Sequence, residues 1–124
     1  ENYRYTYLCT DLLKKKFFPI VAEIRARSLE EFGELVKHSG EEFSFVLDGT
    51  VEVHTEHYAP VILQTGESIF IDSNMGHAYL THGSGPCRLL SICSAPEPTS
   101  ISPRNEDIDL EKNAKQSYNN NDSL

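Results

Sequence analysis

The chain has 124 residues, 39% of them hydrophobic, with 11 basic against 19 acidic side chains and a formal charge of −8. That length suits one domain around one core, and the acidic balance excludes a phosphate-gripping surface of clustered Lys and Arg on this chain. No apolar run approaches the roughly 20 residues of a membrane span, and Glu1-Asn2-Tyr3-Arg4-Tyr5 lacks the basic-then-apolar order of a signal peptide.

Without an initiator Met, this start is expected to be a cut within a longer protein. Cys9, Cys87 and Cys93 are odd in number and contain no C-x-x-C pair, so neither a disulfide framework nor a zinc knuckle is expected. They read as small buried hydrophobes in a reducing cytoplasm.

Tyr3, Tyr5, Tyr7 and Cys9 alternate with Arg4 and Thr6, which predicts a first strand. Phe17 to Ile24 predicts a second, with Pro19 placing it at a sheet edge or a strand start. From Ser28 to Val36 a helical spacing is interrupted by Gly33, so a loop or a single turn is expected. Glu42 to Val53 carries two β-favouring runs around Asp48-Gly49, a pair suited to a primed hairpin turn. Short runs follow at Val61–Leu63, Ser68–Ile71, His77–His82 and Arg88–Cys93, separated by Gly-rich turns.

Composition changes at Ala95-Pro96-Glu97-Pro98. Residues 1–96 therefore read as one domain, and residues 97–124 as a polar tail with too little apolar surface to offset its ordering entropy. Many short strands and almost no helix predict an all-β sandwich or small barrel of antiparallel sheets.

The informative side chains are His38, Glu42 and His77. Residues of equal parity share a strand face, so His38 and Glu42 are expected to point the same way. With His77 they would make the two-histidine, one-carboxylate set that holds divalent iron and similar metals. A hydrogen-bonded polar cluster without metal is the alternative.

If Glu42 faces inward, so do Ser44 and Val46; if His77 does, so do Tyr79 and Thr81. Phe43, Phe45 and Leu47 then form an apolar outer face, to be covered by Tyr3, Tyr5, Phe17 and Phe18 or by a second subunit. His54 and His57 fall on opposite faces and read as solvated, while His82 is placed at a loop mouth.

His38-Ser39-Gly40-Glu41-Glu42-Phe43 through Gly49 resembles the first motif of the cupin superfamily, with His38, Glu42 and Gly49 at the expected spacing. Gly66 to Ser73, followed by Met75-Gly76-His77, resembles the second. The Glu-Glu-Phe start, the Phe70-Ile71-Asp72-Ser73 turn and the Arg88-Leu89-Leu90 close are similar to the C-terminal cupin domains of XRE-type helix-turn-helix bacterial regulators.

The resemblance implies a double-stranded β-helix, a jelly-roll barrel of two antiparallel sheets. Val36 stands where many relatives have a further His ligand, Gly76 where Pro is usual, and Thr81 where some have Asn. At most three ligands therefore remain, for Fe, Zn, Ni or Mn, and Val36, Ser44, Val46, Tyr79 and Thr81 become the expected ligand pocket.

The function so implied is an effector-sensing domain, with a small-molecule effector in the barrel and a cytoplasmic homodimer that reaches DNA only through a domain upstream of this chain. A small metal-dependent cupin enzyme, such as a dioxygenase or isomerase, is the alternative. A third reading is a degenerate cupin with a purely structural pocket.

Overall fold

Alternation at period two shapes nearly every element. The computed structural model describes residues 1–94, where the order is β1 (Tyr3–Tyr7), β2 (Phe17–Ile24), α1 (Leu29–Phe32), β3 (Glu41–Asp48), β4 (Val51–Thr55), β5 (Val61–Leu63), β6 (Ser68–Asp72), β7 (His77–Thr81) and β8 (Arg88–Ser94). Two antiparallel sheets result, one of five strands in the order β1-β2-β8-β3-β6 and one of three in the order β5-β4-β7. This is the expected all-β jelly roll. The expected tail, residues 97–124, lies outside the described residues.

The strand register creates a gradient of polarity across the inner face of the larger sheet. Val46 pairs with Leu89, Ser44 with Ser91, and Glu42 with Cys93. All six side chains are buried. The facing sheet runs the same way, from Val51 beside Thr81, through Val53 beside Tyr79, to Thr55 beside His77. One end of the sandwich is therefore an apolar core around Val46, Val51, Val53 and Leu89, and the other end gathers the titratable groups.

Several expectations are corrected. Asp48-Gly49 does not close a hairpin, because β3 and β4 lie in different sheets and the turn carries the chain from one to the other. Gly49 has φ 78, and a Cβ there would sit 2.5 Å from the Pro86 carbonyl oxygen, so the crossing requires glycine. β2 is interior rather than an edge strand. Its Pro19 is tolerated because β1 pairs only with Ile20 to Ile24, and Pro19 falls just past that ladder.

Tyr3 and Tyr5 line an interior cavity, and Phe18 is buried inside, so none of these covers the outer face. Phe17 lies outside but is 57% exposed. Cys87 and Cys93 are buried as expected, whereas Cys9, beyond the end of β1 with φ 53, is exposed.

β7 is buried on both faces, which alternation alone would not suggest. Its outward Ala78 and Leu80 pack against Ala26 and Phe32. The single turn of α1 supplies Phe32, and Ser28 caps that turn by accepting the Glu31 N–H at 3.1 Å.

Candidate metal centre and its cavity

Three chain segments bring the donors together. Glu42 is the first inward residue of β3, and His77 opens β7, held by a two-way backbone bridge to Val36. His38 precedes β3, so shared parity within one strand is not what aligns it with Glu42. A turn through Gly40 (φ 98) does so, with the His38 N–H donating to the Ser73 carbonyl at 2.9 Å and the Ser73 N–H to the Gly40 carbonyl at 3.0 Å.

His38 Nε2 lies 3.4 Å from Glu42 Oε1, and His77 Nε2 lies 3.8 Å from Glu42 Oε2. The two imidazole rings meet edge to face, 5.1 Å between centroids. One donor atom from each of the three side chains lies within 4.8 Å of the others.

The hydrogen bonds on the far side of each imidazole indicate how these donors are set. A carbonyl can only accept, so His77 Nδ1, 2.9 Å from the Met75 carbonyl, carries a hydrogen and leaves the Nε2 lone pair facing Glu42. His38 Nδ1 lies farther from its carbonyl, 3.4 Å from that of Ser39. Backbone carbonyls that fix the tautomer in this way are the usual support of metal-binding imidazoles.

Separations of 3.4 and 3.8 Å exceed a good N–H···O hydrogen bond of about 2.7–3.2 Å and leave room for a cation. The donor set therefore fits a divalent transition metal.

Glu42 is itself held by further donors. The Tyr79 hydroxyl donates to Oε2, and the Cys93 thiol donates to Oε1 at 3.2 Å. Burial pulls the Glu42 pKa upward, but His38, His77, Tyr79 and Cys93 more than offset it, so the carboxylate lies below its ordinary range. Burial, and then the Glu42 charge, push Tyr79 and Cys93 well above theirs, so both keep their protons and remain donors.

Because the phenol spends its one proton on Glu42, Ser44 must donate to the Tyr79 oxygen, at 2.8 Å. Ser91 must in turn donate to Ser44, at 2.7 Å. A directed chain thus runs from Ser91 through Ser44 and Tyr79 to Glu42.

The donors sit at one side of a cavity of about 260 Å³ between the sheets. Of the expected pocket residues, Val36 and Tyr79 line it. Ser44, Val46 and Thr81 do not: Ser44 lies behind Tyr79 in the hydroxyl chain, Val46 is in the apolar core, and Thr81 is at the far end of β7.

Tyr3, Tyr5, Ser91 and Cys93 line the cavity without having been foreseen. The period-two register of β8 could have found Ser91 and Cys93, whereas the inward facing of β1 depends on its pairing with β2. Gly76 also acquires a reason. Its N–H donates to Glu56 Oε1 at 2.9 Å, a bond that proline could not make, and Glu56 in turn pairs with Lys37 at 3.3 Å.

The remaining histidines lie apart from this centre. His54 is not solvated as expected: its side chain is 15% exposed, with Nε2 2.9 Å from Glu52 Oε1. His82 approaches the other Glu52 oxygen at 3.6 Å, and His57 is exposed beside Glu56.

This architecture defines the class first, a two-sheet β-barrel whose functional groups line its lumen. Within that class the chain belongs to the cupin family, whose domain model matches residues 30–93. No curated protein sequence matches it significantly.

Among solved structures, hydroxypropylphosphonic acid epoxidase from S. wedmorenis in complex with fosfomycin is similar at 26% identity and TM-score 0.58, covering 72% of this chain and 50% of that one. A cobalt(II) form of HppE in complex with substrate is similar at 25% identity and TM-score 0.57, covering 72% and 51%. A protein of Ralstonia eutropha JMP134 provisionally named a mannose-6-phosphate isomerase shares the fold, at 18% identity and TM-score 0.61 over 74% of this chain and 83% of that one. The chain thus spans about half the length of the epoxidase structures it matches.

Proposed function

We propose that this cupin domain binds a small organic effector in its cavity, beside a divalent cation held by His38, Glu42 and His77, and serves as the sensory part of a helix-turn-helix transcription regulator in the cytoplasm. The observation that carries the binding half is the junction of a cavity of about 260 Å³ with three convergent donors, one of them from His77, whose ring is oriented by the Met75 carbonyl. The regulatory half rests on the motif resemblance. A bound Fe, Zn, Ni or Mn ion supplies Lewis acidity and open positions for a ligand atom.

The fold offers a route for the signal. Glu42 and Cys93 face the cavity from β3 and β8, while Phe43 and Ile92, their neighbours in sequence, face outward on the same strands and pair with each other. Phe45 and Leu90 continue this outer row, and Phe70, opposite Phe43, is 63% exposed. Apolar surface of this kind favours a second copy of the chain as its cover. An effector that shifts β3 and β8 would then alter the dimer and, through it, two linked DNA-binding heads. Phe45→Asp is expected to convert the dimer to folded monomers in sedimentation; an unchanged dimer would rule out this face.

A second reading, a metal-dependent cupin enzyme, is favoured by the iron(II) and cobalt(II) in the similar HppE structures. The full-length product of the gene separates the two. Effector-dependent DNA binding, changing by about 5- to 150-fold, supports the sensor. Metal-dependent turnover in a protein without a DNA-binding head supports the enzyme and overturns the sensor.

A further inference from the structure

We infer that the cavity takes a compact, apolar-bodied molecule of about one ring, which carries a hydrogen-bond donor and no phosphate or phosphonate group. The inference rests on the reading of this cavity as a small-molecule site and goes on to name the chemistry of the occupant.

Size comes first. An apolar cavity of roughly 150 Å³ accommodates benzene, so about 260 Å³ admits one substituted ring or an aliphatic skeleton of similar bulk.

The walls supply the apolar body's surroundings. Ile20, Ala22 and Val36 are aliphatic, and the hydroxyls of two of the tyrosines already have partners within the protein. The Tyr3 oxygen accepts the Tyr79 N–H at 2.8 Å, and the Tyr79 hydroxyl is spent on Glu42. The Tyr3 and Tyr79 rings lie 6.3 Å apart between centroids, forming a continuous aromatic wall.

Charge works against a dianion. Glu42 is the one carboxylate among the described lining residues, and Lys37 is the one ammonium or guanidinium, already paired with Glu56 at 3.3 Å. No arginine is there to make the forked contact by which phosphate and phosphonate oxygens are commonly held. One HppE structure contains a substrate in a related fold, but this lumen offers such a group only Lys37, on the rim and paired with Glu56, and a metal already shared with Glu42.

The directed hydroxyl chain supplies the last element. Ser91 spends its proton on Ser44, so the oxygen it presents to the cavity only accepts. A ligand reaching it must donate, through a hydroxyl or an N–H.

The test is isothermal titration of the zinc(II)-loaded protein with three probes of matched size: benzyl alcohol, benzyl methyl ether and phenylphosphonate. For molecules this small, dissociation constants of roughly 1–10 mM are expected. The alcohol should bind best, with the ether about fivefold weaker for lack of a donor and phenylphosphonate at least about tenfold weaker.

Ser91→Ala should remove the preference for alcohol over ether. Val36→Arg, a change at a position 41% exposed on the rim and therefore tolerant of a larger side chain, should raise phenylphosphonate affinity about tenfold or more. Phenylphosphonate binding wild type as tightly as the alcohol would overturn the ligand class while leaving the cavity a ligand site. If no probe binds although zinc does, the small-molecule reading of the cavity fails, and this inference fails with it.

Discussion

Two clusters in this molecule have the same composition, a glutamate between two histidines, and they differ in almost everything else. His54, Glu52 and His82 lie on the smaller sheet and its rim, where Glu52 is about one-quarter exposed and His82 more than half. His38, Glu42 and His77 meet inside the barrel, where Glu42 and His77 are nearly inaccessible. Only the interior set has its three donor atoms within 4.8 Å of one another. It also has donors beyond the carboxylate, Tyr79 and Cys93, and carbonyls behind the imidazoles. Residue type alone therefore does not make a metal site; convergence, burial and the supporting hydrogen bonds do.

The largest difference should appear in metal affinity. Glu42→Gln is expected to weaken zinc(II) or cobalt(II) binding by about 100-fold or more, whereas Glu52→Gln should change it by less than about twofold. Competition against a chelator of known affinity measures both. Comparable losses from the two substitutions would erase the distinction.

A smaller effect should separate the supporting groups. Tyr79→Phe keeps the ring but strips a donor from a buried carboxylate, and is expected to cost about 1–3 kcal/mol in urea unfolding. Metal affinity should fall by about 10- to 100-fold. In the exterior cluster, His82→Ala should cost less than about 1 kcal/mol, as for other exposed pairs.

The least dramatic expectation concerns pH. Glu42 is depressed below its ordinary value of 4.5 in the fold, so the unfolded chain binds more protons than the native one around that pH. The stability it contributes is fully present above about pH 4.5 and is lost as the pH falls through the depressed native value. Urea unfolding of metal-free wild type and Glu42→Gln from pH 7 to pH 3 checks this: the wild type should lose its lead over the variant on acidification. A lead that grows toward low pH would contradict the assignment.

The same contrast shows what was legible in the sequence. Alternation in β3 and β8 identified the strands and placed Glu42, Ser44 and Val46 on one face, because parity is a local property of an extended chain. His38, Glu42 and His77 stood out through their motif spacing, and the structure brings their donor atoms together.

Properties that depend on long-range pairing were not legible. Asp48-Gly49 has the chemistry of a hairpin turn whether the chain stays in its sheet or changes to the other one. Tyr3 and Tyr5 face the cavity only because β1 joins β2 at a particular register. The burial of His54 beside Glu52, and of β7 on both faces, follows from neighbours distant in sequence. Ser44 had the correct parity, yet Tyr79 stands between it and the cavity.

The central claim is that two imidazoles and one carboxylate in this lumen form a cation site. Isothermal titration of metal-free protein with cobalt(II) tests it most directly. One ion per chain is predicted, with binding lost in folded Glu42→Gln and His77→Ala and kept in Glu52→Gln. Absence of binding to the wild type, or wild-type affinity in folded Glu42→Gln, would contradict it.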